Sequence, residues 1–194
     1  MVVALTGGIA SGKSEVLKFF KIYGAHTEDT DSIVHEIYKK DKEVHRELLN
    51  RWGKMVFHGS LPDRKAIAKL VFNNKHELQW LNELMHPRVK NKITAKRDQE
   101  LSIIAVPLLY EVNWQSEFDT VIAVWCSETS QQKRLTSRGW SKAESASRLS
   151  AQIHQDEKIS RADHGIINDW SLKSLNRQCR SIYNMIHKDT QAYG

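Results

Sequence analysis

The stretch TGGIASGKSEV (Thr6–Val16) joins a short β-rich run, VVALT, to a segment whose apolar residues have helical spacing. It contains the pattern G-x-x-x-x-G-K-S, which begins at Gly7 and ends with Gly12, Lys13 and Ser14. Glycines allow successive backbone N–H groups to converge on one point and form a nest for anionic oxygens, to which the following helix adds the positive end of its dipole. Between a strand and a helix, this pattern predicts a loop that binds the phosphates of a nucleoside triphosphate, ATP in the simplest case.

The residues that end this loop have predicted roles in holding ATP and Mg²⁺. Lys13 can bridge the β- and γ-phosphates, and the Ser14 hydroxyl can ligate Mg²⁺. A Glu15 carboxylate about 6 Å from phosphate would be repelled by roughly 3 kcal/mol, whereas the helix dipole returns at most about 1 kcal/mol. We therefore expect the Glu15 side chain to point into solvent while its backbone N–H binds phosphate. The predicted ATP contacts in the loop are Gly8, Ile9, Ala10, Ser11, Gly12, Lys13, Ser14 and Glu15.

Apolar runs downstream of the loop predict the remainder of a β-sheet. Residues 102–106, 120–125 and 165–167 are continuous apolar runs rather than alternating ones, which suits parallel strands covered on both faces. Together with VVALT and a strand that ends near Asp29 they make five strands, and helical patterns lie between them. The sequence therefore predicts an α/β fold of the P-loop NTPase type, with a five-stranded parallel sheet flanked by helices.

A helical insertion is predicted to interrupt this sheet. Residues 32–100 change to helical spacing, so the nucleotide-binding core should comprise residues 1–31 and 101–194. Asp63 is placed to cap the second helix of the insertion. The third helix is expected to break near His86-Pro87, because proline cannot continue the backbone hydrogen-bond ladder.

A basic segment at about residues 129–150 predicts a small helical lid with a turn at Gly139. Arg134 and Arg138 are four residues apart and so share a helix face. An arginine pair on a lid suits phosphoryl transfer, since it neutralises charge spread over the equatorial oxygens. We therefore expect Arg134 and Arg138, with Lys13, to be catalytic.

Composition limits the class of protein. The 194 residues carry a formal charge of +6, which suits either nucleic acid or a small polyanion such as a nucleotide. No run approaches the length of a membrane span and the N-terminus lacks the signature of a signal peptide, so we expect a cytoplasmic protein with no membrane partner. Cys126 and Cys179 form no close pair and are expected to be reduced core residues.

Asp29 and Asp31 are expected to follow the second strand, at the sheet edge where ligands bind in open α/β folds. One carboxylate there can take a proton from an acceptor hydroxyl, and either can help to hold Mg²⁺, directly or through water. A GTPase-type switch is not supported, because no aspartate is followed three residues later by glycine. The residues thus favour a kinase that acts on a hydroxyl acceptor.

Seven ordered motifs resemble those of the dephospho-CoA kinase family and together span almost the whole chain. Members of this family use ATP to phosphorylate the ribose 3′-hydroxyl of dephospho-CoA, which completes the synthesis of coenzyme A. The motifs are LTGGIASGKS (5–14), DTDSIVHE (29–36), LPDRKAIAKLVF (61–72), LNELMHPRV (81–89), VPLLYE (106–111), QQKRLTSRGWSKAESASRLSAQ (131–152) and RADHGIIN (161–168).

The resemblance implies roles that spacing alone does not. Asp31 would be the base for the ribose hydroxyl, Arg134 and Arg138 would contact the phosphates, and Asn168 would lie near the adenine of ATP. The insertion would be the domain that binds the acceptor, and the protein would be a monomer or weak oligomer with no nucleic-acid partner. The implied dephospho-CoA contacts are Asp31, Arg64, His86, Pro87, Leu108 and Glu111.

The chain departs from the family pattern at a few positions. Glu15 replaces the usual Thr or Val, Tyr110 stands where Phe is common, and residues 26–28 are polar for a strand that leads into the aspartates. Two other functions stay open. A kinase for a nucleoside monophosphate or shikimate would share the loop and lid, and a nucleic-acid binder would explain the positive charge.

Overall fold

Residues 1–72 and 74–192, the part of the chain that the computed structural model describes, form an α/β fold. The described strands are β1 (Val2–Gly7), β2 (His26–Asp29), β3 (Phe57–His58), β4 (Leu61–Pro62), β5 (Ser102–Ala105), β6 (Thr120–Trp125) and β7 (His164–Ile167). The described helices are α1 (Lys13–Ile22), α2 (Thr30–Lys40), α3 (Lys42–Trp52), α4 (Arg64–Phe72), α5 (Lys75–Thr94), α6 (Glu128–Ser137), α7 (Lys142–Ser150), α8 (Gln155–Ser160) and α9 (Leu172–Ala192). None of these helices is both long and apolar enough to cross a membrane.

Five strands form one parallel sheet in the order β2-β5-β1-β6-β7, so the predicted five-stranded parallel sheet is confirmed. Every residue of β1 and β5 is buried, as expected of continuous apolar runs in a sheet covered on both faces. β2 lies at an edge and is partly exposed, which is why its sequence, HTED, can be polar. The carboxyl ends of all five strands meet at one edge, where ligands bind in folds of this kind.

Helices α1 and α9 pack together against this sheet. Val16 and Phe20 of α1 are fully buried in a cluster that includes Cys179 of α9. Cys126 and Cys179 are both buried and free, which confirms their prediction as core thiols, and burial raises the pKa of Cys179 to about 12. Leu172 of α9 is 62% exposed, since it lies in the first turn, beyond the packed part of the helix.

Residues 30–95 form a separate compact unit, composed of α2–α5 and a small β3–β4 hairpin. Oδ1 of Asp63 accepts hydrogen bonds from the backbone N–H groups of Lys65 (2.8 Å) and Ala66 (3.3 Å), so the predicted cap of α4 is confirmed. The sequence did not reveal the hairpin, because its strands are only two residues long.

Helix α5 runs from Lys75 to Thr94 without interruption, so the break predicted near His86-Pro87 is wrong. Proline removes one N–H donor and crowds the carbonyl four residues earlier. Nη1 of Arg88 donates to the neighbouring Leu84 carbonyl at 2.7 Å and so adds a hydrogen bond in this turn. Burial of one face of the helix offsets the remaining cost, since each buried large apolar side chain stabilises by about 1.5–3 kcal/mol. The buried residues of this face are Leu81, Met85, Val89 and Ile93.

The two compact units divide the chain at residues 29/30 and 95/96, whereas the sequence pattern placed the divisions at 31/32 and 100/101. The first unit comprises residues 1–29 and the chain from residue 96 onward. Asp31 belongs to the helical unit because α2 already begins at Thr30.

Candidate active site

The phosphate loop joins β1 to α1 and is shaped by two glycines. Gly7 (φ 146°) and Gly12 (φ 105°) adopt backbone conformations that residues with side chains rarely adopt. A Cβ at Gly7 would collide with the carbonyl oxygen of Val124, and one at Gly12 with the side-chain amide of Asn168. Both positions therefore need glycine for space as well as for conformation. Because α1 begins at Lys13, the backbone N–H groups of its first turn lie beside this loop.

Glu15 is directed along the surface of α1. Its carboxylate lies 2.9 Å from the Nζ of Lys18, and its side chain is 35% exposed. This ion pair draws the negative charge toward a neighbouring turn of the helix. The ion pair agrees with the expectation that the side chain would turn to the surface. The contact of the Glu15 backbone N–H with a phosphate stays a prediction, and in this structure that N–H donates to the Gly12 carbonyl at 3.0 Å.

Lys13 lies over the loop that it follows. Its Nζ donates to the carbonyl oxygens of Gly7 (2.8 Å) and Gly8 (2.9 Å). Burial, together with the positive charges of Lys158 and Arg138, lowers the pKa of Lys13 to about 7. The ammonium group is thus held by neutral acceptors in a site that disfavours its charge, and a bound phosphate would supply the missing negative partner.

This depressed pKa predicts that ATP binding takes up a proton above neutral pH. Phosphate favours the charged amine, so a group that is about 90% neutral at pH 8 should become protonated, and ATP affinity should fall as the pH rises above 7. Calorimetry at pH 8 in buffers of different ionisation enthalpy should give an uptake of about 0.9 proton for the wild type. Lys13→Met serves as the reference, and equal proton uptake by both proteins would contradict the assignment to Lys13.

Arg134 connects the lid to the far end of the loop. Its Nη1 donates to the carbonyl oxygens of Ala10 (3.2 Å) and Ser11 (3.1 Å), and its Nη2 donates to the carbonyl of Asn168 (2.7 Å). The side chain of Asn168 also donates to the Ser11 carbonyl at 2.7 Å, and Asn168 is buried. The fold therefore brings together three residues that were predicted from separate motifs: Arg134, Asn168 and Ser11.

The lid consists of two helices, α6 and α7, with a turn at Gly139 (φ 78°), as the sequence predicts. A capping box formed by Ser141 and Glu144 begins α7. Arg138 caps the end of α6 and is exposed, and its charge acts on Lys13. Arg134 is thus anchored to the loop, whereas Arg138 is available to a ligand.

Two glutamines of the lid motif also contact the loop, which sequence reasoning missed. Nε2 of Gln131 donates to the Ile9 carbonyl at 2.8 Å, and Oε1 of Gln152 accepts from the Ile9 N–H at 3.1 Å. Both backbone polar groups of Ile9, its N–H and its carbonyl, are thereby fixed. A cavity of about 940 Å³ beside Gly8 is lined in part by the same two glutamines, and its volume is typical of a small-molecule site. The signal available in the sequence was the motif QQKRL…SAQ, in which only the arginines were given roles.

Glu111, implied to contact dephospho-CoA, takes part in a buried ion pair. Its Oε1 lies 2.7 Å from the Nζ of Lys158, which has no exposed side-chain surface, and accepts from the Ile153 N–H at 2.9 Å. The same Nζ donates to the Pro107 carbonyl at 2.7 Å. Burial lowers the pKa of Lys158, and the hydrogen bond and charge of Glu111 oppose that shift. The pair joins the segment after β5 to α8.

Loss of the Lys158 charge is expected to destabilise the fold. Lys158→Met would leave the Glu111 carboxylate enclosed without its cation, and breaking such a buried pair costs about 3–5 kcal/mol. Because the Glu111 side chain is 15% exposed, water screens part of its charge, and we expect a loss in stability at the lower end of this range. Urea unfolding should show it, and the double variant with Glu111→Gln should recover most of the loss. A single variant as stable as the double would contradict this role, and Lys133→Met, at an exposed position of α6, controls for the loss of charge.

Oxygen ligands suitable for Mg²⁺ are present at this edge of the sheet. Ser14 is the second residue of α1 and is exposed, and Asp29 ends β2. Mg²⁺ commonly uses one or two protein oxygens with water and phosphates, so this hydroxyl and carboxylate fit the ion. Within residues 1–72 and 74–192, no group of three or more His, Cys, Asp or Glu is arranged to hold a metal by itself.

The other residues implied to contact the acceptor are divided between the two units. Leu108, after β5, belongs to the first unit and is 41% exposed.

In the helical unit, Arg64 begins α4 and is exposed. Burial raises the pKa of Tyr38 to about 12, and the positive charge of Arg64 opposes this shift. His86 is half-buried and Pro87 exposed on α5, and burial together with the charge of Lys90 lowers the pKa of His86. Asp31 lies in the first turn of α2.

The class of protein follows from the first unit. A parallel sheet whose first strand leads into a phosphate loop, with a lysine over that loop and an arginine-bearing lid, is the arrangement of a P-loop kinase. Solved structures with low identity agree on the fold. Shikimate kinase from Acinetobacter baumannii has a TM-score of 0.53 and 14% identity, with 97% of this chain and 93% of that chain covered.

The particular family is that of dephospho-CoA kinase, to which the chain belongs, because the model of that family matches residues 1–174. Dephospho-CoA kinase from Protochlamydia amoebophila is 34% identical over 190 residues, 93% of this chain and 94% of the relative. The Bacillus licheniformis enzyme is 34% identical over 94% of both chains. The solved dephospho-CoA kinase from Campylobacter jejuni has a TM-score of 0.73 and 25% identity, with 97% of this chain and 98% of that chain covered. The chain is therefore an ATP-dependent kinase.

Proposed function

We propose that this protein transfers the γ-phosphoryl group of ATP to the ribose 3′-hydroxyl of dephospho-CoA and so forms coenzyme A. The observation that carries the proposal is the family match, which extends from the phosphate loop through the helical unit to the lid and β7. A likeness limited to the phosphate loop would indicate only a bound triphosphate.

In the proposed reaction the residues of the first unit bind and neutralise ATP. The backbone N–H groups of the loop and the first turn of α1 surround the β- and γ-phosphates, and Lys13 moves from its carbonyl acceptors to phosphate oxygens. Arg138, exposed at the end of α6, lies against the transferring group when the lid closes. Arg134 holds the lid on the loop and adds positive charge. Closure excludes water, which otherwise competes as the acceptor.

Asp31 is the proposed base. Its carboxylate takes the proton of the 3′-hydroxyl, the hydroxyl oxygen bonds to the γ-phosphorus, and the bond from that phosphorus to the bridging oxygen breaks to release ADP. Support comes from its position two residues after β2, in the first turn of a helix whose N-terminal dipole keeps a carboxylate ionised. Because transfer proceeds in line, a base near the acceptor needs no contact with the leaving ADP.

Ser14, with Asp29 or Asp31, would hold Mg²⁺ directly or through water, and the bound ion would neutralise charge on the phosphates. Arg64, His86, Pro87, Leu108 and Glu111 stay proposed acceptor contacts, and residues 32–100 the proposed acceptor domain. A cytoplasmic location and a monomeric state are proposed with them.

A panel of acceptors tests the proposed substrate. ADP release should be measured with ATP, Mg²⁺ and dephospho-CoA, AMP or shikimate as the acceptor, and in the absence of any acceptor. We expect rapid release with dephospho-CoA alone. Equal or faster release with AMP or shikimate would replace the proposed acceptor. Salt-sensitive binding of DNA or RNA, without acceptor-dependent ADP release, would favour a nucleic-acid binder.

A further inference from the structure

An exposed tryptophan, Trp170, lies two residues after Asn168, the residue that bonds to the phosphate loop. Trp170 is 67% exposed, which is unusual for so large an apolar side chain. It lies in the short connection between β7, which ends at Ile167, and α9, which begins at Leu172.

The connection is held on both sides of Trp170. The Asn168 N–H donates to the Trp125 carbonyl at 2.8 Å, which extends the pairing with β6. Oδ1 of Asp169 accepts from the N–H (2.9 Å) and the hydroxyl (3.1 Å) of Ser127. After it, the Ser171 hydroxyl accepts from the N–H of the third residue along, at the start of α9. The indole therefore projects from a fixed backbone, so a ligand that covers it need not order this connection of the protein.

The same connection lies next to the phosphate loop. Asn168 donates to the Ser11 carbonyl at 2.7 Å, and Arg134 bonds to both Ser11 and Asn168. Trp170 is two residues from Asn168, so its Cα lies at most about 7 Å away, and the indole extends further. Trp170 is therefore within reach of a nucleotide whose phosphates occupy the loop.

The order of the strands indicates which end of a bound nucleotide lies near β7 and Trp170. β2, which ends at Asp29, lies two strands from β1 on one side, and β7 lies two strands from it on the other. Phosphoryl transfer places the acceptor and the leaving ADP on opposite sides of the transferred group. With the acceptor carboxylates following β2, the rest of the nucleotide extends toward β6 and β7, where Trp170 lies.

We propose that the Trp170 indole stacks on the base of bound ATP and is a specificity residue for the nucleotide. The proposal rests on the proposed function, because the base is placed near β7 only if the phosphoryl acceptor lies near β2. Every base has a π-face, and purines offer the larger area, so stacking here favours a purine over a pyrimidine nucleotide. The positive loop and Lys13 then bind the phosphates, and Trp170 binds the base.

Equilibrium binding of ADP and of inorganic tripolyphosphate separates these two contributions. Trp170→Ala should weaken ADP binding about tenfold, in the range seen when a base loses its aromatic partner. Trp170→Phe should stay within about threefold of the wild type, since the smaller ring still stacks. Tripolyphosphate, which has no base, should bind equally to all three proteins. ADP should also quench tryptophan fluorescence more in the wild type than in Trp170→Phe.

Ile22→Ala is the matched control, because Ile22 is 74% exposed in the same unit but lies at the far end of α1, about 14 Å along the helix from Lys13. It should leave ADP binding unchanged. If Trp170→Ala loses affinity for ADP and for tripolyphosphate equally, Trp170 supports the loop and the proposal is overturned. Unchanged affinity of Trp170→Ala for ADP would also overturn it. A wild type that binds ADP but transfers nothing to dephospho-CoA would instead overturn the proposed function.

Discussion

Replacement of Lys13 by alanine is expected to lower kcat with dephospho-CoA and ATP about a thousandfold. Removal of one preorganised group that stabilises transition-state charge typically costs a factor of 10² to 10³. Lys13 is held over the loop by the carbonyls of Gly7 and Gly8, and in the proposed reaction its Nζ moves from them to phosphate oxygens, where it meets the charge that develops on the γ-phosphate. Initial rates of ADP release at saturating substrates measure the effect.

Folding of the Lys13→Ala variant should not suffer. The folded-state pKa of about 7 lies below the ordinary value of 10.5, so the unfolded chain binds more protons between these values and the native state gains stability as the pH rises through that range. At neutral pH the lysine is therefore an unfavourable group, and its removal should leave Tm unchanged or higher. A lower Tm would mean that lost activity reflects lost structure. Lys21→Ala removes the same charge from an exposed position in the last turn of α1 and should keep activity within about twofold.

Asp31→Asn is expected to lower kcat by about a thousandfold, with little effect on the KM for ATP. Asparagine keeps the size of the side chain but cannot take a proton, and general-base catalysis contributes factors of 10² to 10⁴. Separate titrations of ATP and dephospho-CoA give both constants.

The matched control for Asp31 is Asp98→Asn, which makes the same chemical change at an exposed aspartate. It should retain full activity. Near-native turnover in Asp31→Asn would remove Asp31 from the mechanism, and a change confined to the KM for ATP would assign it to nucleotide binding.

The parts of the fold that the sequence predicted well depend on local pattern. The phosphate loop was recognisable because a nest of N–H groups needs glycines at fixed positions, and the structure shows why Gly7 and Gly12 have no room for a side chain. The central strands were recognisable because a strand buried on both faces must be apolar throughout. Both signals lie within ten or so residues of chain.

The helix break predicted at Pro87 failed because a local rule was outweighed by packing. α5 keeps one buried face over its full length, and Arg88 supplies a hydrogen bond in the disturbed turn. Neither the burial nor the reach of Arg88 can be read from the residues around the proline.

The supporting contacts of the site were also beyond sequence reasoning. Gln131 and Gln152 meet at Ile9, more than 120 residues away along the chain, and Lys158 meets Glu111 across 47 residues. A buried lysine has no local signature, since the same residue type is usually exposed. Such groups become visible only when the fold places their partners.

The most direct test of the account is mass spectrometry of dephospho-CoA after incubation with the protein, ATP and Mg²⁺, alongside the Lys13→Ala variant. We expect the wild type to convert dephospho-CoA to a product that carries one more phosphoryl group and matches authentic coenzyme A, including its 3′-phosphate, and the variant to leave the substrate unchanged. Unmodified dephospho-CoA after incubation with a wild-type protein that binds ATP would contradict the proposed acceptor.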